Sequence, residues 1–89
     1  MDNEKVALVT GSSRGIGREI ALRLADVAGA VAVHYHANKA AVEDVVRLIR
    51  LKGKASFAFR ADLTKEKQAT GLVRSVELRF GRIEVEIRL

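Results

Sequence analysis

The stretch "VALVTGSSRGIG", residues 6–17, places three glycines directly after a short apolar run rich in β-branched residues. The run predicts a buried strand, and the residues after Gly15 predict a helix, so the glycines lie in a strand-to-helix turn. Gly11, Gly15 and Gly17 would permit a tight turn, a close approach to a pyrophosphate and tight helix packing, and free N–H groups would face the phosphates. This pattern predicts a dinucleotide-binding turn, with a purely structural turn as the alternative. No Gly-Lys-Ser/Thr follows, so it is not a P-loop.

The rest of the chain alternates strand and helix patterns. Four apolar runs of strand length occur, at residues 6–10, 30–35, 55–59 and 83–89. The apolar face predicted for the first helix consists of Ile16, Ile20, Leu24 and Val27. Asn38 and Thr64 are the expected N-caps of the second and third helices, and Gly81 the expected end of the third. The order β-α-β-α-β-α-β within 89 residues predicts one α/β domain with a parallel sheet.

The end of the second predicted strand, "VHYHANK", bears on the choice of dinucleotide. An acidic residue there would bind the ribose hydroxyls and repel a 2′-phosphate, and this segment contains none. Arg14, in the glycine turn, and Lys39, just past the strand, are placed to reach a 2′-phosphate, a contact that contributes roughly 1.5–3 kcal/mol. The alternative is that both are simply solvent-exposed. The sequence therefore favours NADP(H) over NAD(H) as the cofactor.

Three segments resemble landmarks of the classical short-chain dehydrogenase/reductase family, in order and at suitable spacing. They are "TGSSRGIG" at residues 10–17, "ADLT" at residues 61–64 and "FGRIEV" at residues 80–85. The similarity is closest to the 3-oxoacyl-carrier-protein reductase-like members and spans residues 5 to about 85. It implies an incomplete Rossmann-type doubly wound parallel sheet, a nicotinamide dinucleotide cofactor and, as the family reaction, reversible carbonyl reduction.

The resemblance also implies which residues bind the cofactor. The residues expected on the pyrophosphate side are Gly11, Gly15, Ile16 and Gly17. Ser13 and Arg14 are expected on the side of the 2′-phosphate. Asp62 is expected to meet the adenine amino group, with the backbone of Leu63 beside it. The alternative for Asp62 is a residue that only shapes the cap region before the third helix.

The chain departs from the family pattern after Val85. The family continues into Asn-Asn-Ala-Gly, then a catalytic serine and a Tyr-x-x-x-Lys helix, and these have no counterpart here. We therefore expect residues 1–89 to be the N-terminal cofactor-binding part of a reductase, inactive as it stands, as a truncation or frameshift would produce. The fourth strand would become an exposed edge that favours low stability and self-association, moderated by the charges of Glu84, Glu86 and Arg88.

Tyr35 and Lys39 have the spacing Tyr-x-x-x-Lys, but we do not expect them to be a catalytic pair. The family chemistry requires both on one helix face, where residues i and i+4 are neighbours. Tyr35 ends a predicted strand and Lys39 begins a predicted helix, so no catalytic residue is assigned. His34 and His36 form His-x-His on the strand but lack further ligands, so we expect ordinary strand-end histidines and no metal site.

The composition limits the remaining alternatives. The net charge of +5 would suit a nucleic-acid-binding protein, but the basic residues are scattered and aromatic residues are few. There is no cysteine, no apolar run reaches the ~18 residues of a membrane span, and the start "MDNEK" does not resemble a signal peptide. We expect a cytoplasmic dinucleotide-binding chain. A non-catalytic module or pseudogene-like remnant is the alternative, and a basic nucleic-acid-binding module is a weaker one.

Overall fold

The computed structural model describes residues 5–89, and residues 1–4, on which the signal-peptide prediction depends, lie outside this range. The strands are β1 (Val6–Val9), β2 (Ala30–Tyr35), β3 (Ala55–Arg60) and β4 (Ile83–Ile87). The helices are α1 (Gly15–Leu24), α2 (Lys39–Leu51) and α3 (Glu66–Phe80). The predicted alternation of strands and helices is confirmed.

The four strands form one parallel sheet in the order β3-β2-β1-β4. The chain adds β2 and then β3 on one side of β1, and afterwards returns across β1 to place β4 on its other side. This reversal makes the sheet doubly wound and creates a switch point between β1 and β4, where the crevice at the carboxyl ends of the strands is the usual ligand site. The α/β doubly wound class is therefore confirmed.

The two central strands are buried on both faces, since every residue of β1 and β2 is buried. One face of the sheet packs against α1 and α2, with Val31 and Val33 in contact with a helical layer that includes Val45 and Ile49. The opposite face packs against α3, where Leu8 belongs to a second, smaller cluster. Burial on both faces explains why these strands appear in the sequence as continuous apolar runs.

The buried face of α1 agrees only in part with the predicted one. Ile16 is 73% exposed and Val27, beyond the end of the helix at Leu24, is 53% exposed. The residues of this segment that are fully buried are small, namely Ala21 and Ala25. Small side chains let the helix approach the sheet closely. Ile20 and Leu24 of the predicted face are partly buried and pack against this core, so the prediction is wrong only for Ile16 and Val27.

Two of the three predicted helix ends are confirmed. Asn38 caps α2 as predicted, because its side chain accepts a hydrogen bond from the Ala41 N–H at 3.2 Å. Gly81 ends α3 with a φ of +99°, also as predicted. The prediction for Thr64 is wrong, since α3 is preceded by Lys65, and the Thr64 hydroxyl instead bonds back within its own turn.

Strand β4 forms an edge of the sheet and pairs only with β1. Its apolar residues are half-buried and alternate with the exposed Glu84 and Glu86, so the predicted edge strand with exposed charges is confirmed. Beside it, Leu78 of α3 is 82% exposed next to a groove of about 610 Å³. Self-association through this side of the molecule stays a prediction. No helix within residues 5–89 is long and apolar enough to cross a membrane.

Candidate dinucleotide-binding site

The glycine turn follows β1 at the switch point of the sheet. Gly11 and Gly15 have φ values of +61° and +64°, in the left-handed region that side chains disfavour. Gly17 serves a different need, because a Cβ atom there would lie 2.0 Å from the carbonyl oxygen of Gly11. The three glycines therefore provide two unusual backbone conformations and one close approach of helix to turn.

The first turn of α1 is open to an anion. Arg14 precedes the helix in an extended conformation and makes no side-chain cap, and the first turn contains no acidic residue. The first N–H groups of a helix lack partners within the helix, and the helix dipole makes this end positive. Gly15, Ile16 and Gly17 thus form a helix start of the type that holds phosphate groups.

Hydrogen bonds to β1 and β2 hold the glycine turn in place. The hydroxyl of Ser12, which is fully buried, donates to the carbonyl of Val9, and the Ser12 N–H donates to the carbonyl of His34 at 2.9 Å. The Gly11 N–H donates to Nδ1 of His34 at 3.0 Å. The position of the turn therefore depends on β2 as well as on β1.

His34 was expected only as an ordinary residue near the end of a strand, and its role escaped sequence reasoning. His34 is 5% exposed, and its Nε2 lies 2.9 Å from the carbonyl oxygen of Ala61, just past β3. Because Nδ1 accepts from Gly11, Nε2 must carry the ring proton and donate to Ala61. The available signal was a polar residue inside an otherwise apolar buried strand.

The basic residues expected near a 2′-phosphate lie at neighbouring strand ends. Arg14 is in the turn after β1, Lys39 is the first residue of α2 after β2, and β1 pairs directly with β2. Both side chains are exposed, and within residues 5–89 neither forms an ion pair. Arg18, by contrast, pairs with Asp44. A lysine at a helix start is unfavourable to the helix dipole, so this position suits an anionic ligand better than it suits the fold. Ser13, half-buried, lies between the two glycines of positive φ.

Asp62 shapes the turn that follows β3. Its Oδ1 accepts hydrogen bonds from the hydroxyl of Thr64 at 2.6 Å and from the Thr64 N–H at 3.0 Å, while Oδ2 lies 3.9 Å from Nε2 of His36. The Thr64 hydroxyl, then the Thr64 N–H, with smaller contributions from His36 and Lys65, lower the pKa of Asp62 below its usual value of 3.8. Leu63 follows, partly exposed. The Oδ1 atom of Asp62 thus stabilises the turn, whereas Oδ2 faces the imidazole of His36.

Tyr35 and Lys39 do not share a helix face, as predicted. Tyr35 is the last residue of β2 and is buried in the core, whereas Lys39 begins α2 and is exposed. Within residues 5–89 no group of three or more histidine, cysteine or acidic residues is arranged to hold a metal ion.

Leu89, after β4, contacts the residue that precedes the glycine turn. The N–H of Leu89 donates to the hydroxyl of Thr10 at 2.9 Å.

A doubly wound parallel sheet with a glycine turn at its switch point defines the class of nucleotide-binding α/β proteins. The model of the short chain dehydrogenase family matches residues 5–87. The chain belongs to the short chain dehydrogenase family.

Individual relatives agree with this assignment. The chain is 46% identical over 81 residues to a 3-oxoacyl-[acyl-carrier-protein] reductase of Staphylococcus epidermidis, which covers 91% of this chain and 33% of the relative. A dehydrogenase/reductase from Sinorhizobium meliloti superposes with a TM-score of 0.91 at 34% identity, over 96% of this chain and 34% of that one. A dehydrogenase from Burkholderia cenocepacia with bound NADP gives a TM-score of 0.90 at 34% identity, over 94% and 33%. The chain spans about a third of the length of these proteins and corresponds to an N-terminal segment of the family.

Proposed function

We propose that this chain binds a nicotinamide dinucleotide and prefers NADP(H), as the cofactor-binding part of a reductase. The observation that carries the proposal is the uncapped start of α1 behind the glycine turn, with Arg14 and Lys39 at adjoining strand ends. This arrangement offers backbone donors to a pyrophosphate and two cations to a 2′-phosphate. The NADP bound to the Burkholderia cenocepacia dehydrogenase supports the proposal by similarity.

Each expected site residue has a proposed role. The pyrophosphate would lie against the turn formed by Gly11, Gly15, Ile16 and Gly17. Ser13, Arg14 and Lys39 would bind the 2′-phosphate. Asp62 would accept a hydrogen bond from the adenine amino group through the oxygen that Thr64 leaves free, with the Leu63 backbone beside it.

The chemistry of the longer protein is also a proposal. Bound NADP(H) would supply or accept a hydride in the reversible reduction of a carbonyl group, as the reductase name of the Staphylococcus epidermidis relative indicates. Residues 1–89 contain no helical Tyr-x-x-x-Lys pair, since Tyr35 lies on a strand. We therefore propose that the chain by itself binds the cofactor without turnover, in the cytoplasm, where a chain without cysteine is at no disadvantage.

Titration of the purified chain with NADPH and NADH tests the proposed function. We expect NADPH to bind more tightly, and Arg14→Ala or Lys39→Ala to weaken NADPH by roughly tenfold each while leaving NADH unchanged. Arg23→Ala is the matched control, because Arg23 is an exposed arginine in the last turn of α1 that pairs with Glu19. Equal affinity for both dinucleotides, or equal losses in the control, would contradict the preference for NADP(H).

The same preparation tests the alternatives. Binding to duplex DNA that weakens steeply with added salt, without dinucleotide binding, would favour the basic nucleic-acid-binding module. Sedimentation of the chain over a range of concentrations would show self-association through the exposed side of β4 and α3. A pseudogene-like remnant would neither bind NADPH nor unfold cooperatively.

A further inference from the structure

We propose that His34 is a positioning residue that fixes the glycine turn relative to the turn after β3. A single imidazole joins the two segments, through Gly11 on one side and Ala61 on the other. Its consequences for cofactor affinity rest on the proposed function, whereas its effect on the geometry of the turn does not.

The geometry assigns opposite hydrogen-bonding roles to the two ring nitrogens. Nδ1 accepts from the Gly11 N–H at 3.0 Å, and Nε2 donates to the carbonyl of Ala61 at 2.9 Å. Only the neutral tautomer with the proton on Nε2 satisfies both partners. His34 is 5% exposed, so its bond to Ala61 is buried, whereas its bond from the exposed Gly11 is partly buried.

The two partners are the points where flexibility would harm binding most. Gly11 has a φ of +61° and no side chain to pack, so its backbone depends on hydrogen bonds for its orientation. Ala61 directly precedes Asp62, the residue proposed at the adenine. His34 therefore sets the distance between the pyrophosphate and adenine ends of the proposed site, and a preorganised turn binds more tightly than one that must be ordered by its ligand.

Two substitutions separate the two hydrogen bonds. In His34→Asn the Oδ1 atom occupies nearly the place of Nδ1, so the bond from Gly11 is kept and the reach to Ala61 is lost. In His34→Gln the amide nitrogen approximates Nε2, so the bond to Ala61 is kept and the near acceptor for Gly11 is lost. The pair is matched in polarity, and neither variant leaves a large cavity.

The experiment combines ¹⁵N spectroscopy of the whole chain with ligand titration. In the parent we expect imidazole ¹⁵N shifts that place the proton on Nε2, and a Gly11 amide that is protected from exchange. The Gly11 amide should stay protected in His34→Asn and exchange faster in His34→Gln. NADPH affinity should fall by roughly tenfold in both variants, because each variant breaks one of the two links that set the distance between the pyrophosphate and adenine ends. Binding of 2′-AMP, which has no pyrophosphate, should be the same in both variants.

A purely structural role for His34 predicts a different pattern. In that case NADPH and 2′-AMP affinities would fall together, in proportion to the loss of thermal stability in each variant, and the proposal would be overturned. A ring proton on Nδ1 or an unprotected Gly11 amide in the parent would overturn it as well. If the parent binds no NADPH, the proposed function fails, while the Gly11 amide still decides whether His34 holds the turn.

Discussion

The turn after β1 and the turn after β3 lie at the same end of the sheet, yet opposite means hold their shapes. The first depends on missing side chains, since Gly17 leaves room for the carbonyl of Gly11 at a distance no Cβ would tolerate. The second depends on a present side chain, since Asp62 bonds twice to Thr64. We therefore expect added side-chain atoms to disrupt the first turn through steric strain, and neutralisation of the Asp62 carboxylate to weaken the second.

The comparison is tested most severely by Gly17→Ala. The added methyl group must displace backbone, so we expect the free energy of unfolding to fall by about 3 kcal/mol. Gly71→Ala is the matched control, because Gly71 is also helical but has open space around its Cβ position. That control should gain about 1 kcal/mol from helix propensity. Urea denaturation of both variants measures the contrast, and equal effects would show that the close approach at Gly17 is not a constraint.

Gly15→Ala separates backbone strain from crowding within the same turn. No atom lies within 4 Å of the Cβ position, but φ is +64°. We expect a loss of about 1–2 kcal/mol, the cost of the left-handed conformation for an ordinary residue. Gly15→Asn should lose less, because asparagine tolerates this region better. Thermal unfolding of the two variants checks the order, and a larger loss for asparagine would point to crowding instead.

The start of α2 follows β2, the strand that lies between β1 and β3, and we expect a substitution there to have a smaller effect than those in the glycine turn. Lys39→Glu replaces a cation by an anion at a helix N-terminus, so we expect a gain of about 0.3–1 kcal/mol in stability at low salt. NADPH affinity should fall in the same variant. Lys67→Glu makes the equivalent change in the first turn of α3, away from Lys39, and should stabilise without affecting NADPH. If NADPH affinity is unaffected in both, Lys39 is not part of the site.

The smallest effect is the acid dependence of the turn after β3. The folded-state pKa of Asp62 is lowered, so its contribution to stability is present above the usual value of 3.8 and is lost as pH falls through the lower folded pKa. Thr64→Val removes the largest cause and should raise the pKa of Asp62 towards 3.8. NMR titration of the Asp62 carboxyl in both proteins measures the shift. The glycine turn contains no acidic residue, so a chemical-shift change of the Gly11 amide with the same dependence on pH would contradict the contrast between the two turns.

Much of the fold could be predicted because its signals are local. The apolar runs of β1 and β2 are continuous, as expected for strands buried on both faces, and Asn38 caps α2 through a partner only three residues away. The same locality explains the failure at Thr64, whose hydroxyl had an equally near competitor in Asp62. A sequence shows that a cap-forming side chain is present, but not whether its oxygen will accept from the first N–H groups of the helix or its hydroxyl will donate to a neighbouring carboxylate.

The order of elements, the position of the glycine turn and the family can be inferred from the sequence alone, because each follows from residue type and short-range spacing. The residues of α1 that face the sheet depend on packing in three dimensions, since close contact with the sheet favours Ala21 over the larger Ile16. The hydrogen bonds of His34 likewise depend on the folded structure, because its partners lie 23 and 27 residues away. Such contacts require the order of strands in the sheet, which brings the carboxyl ends of β1, β2 and β3 together and which no local pattern encodes.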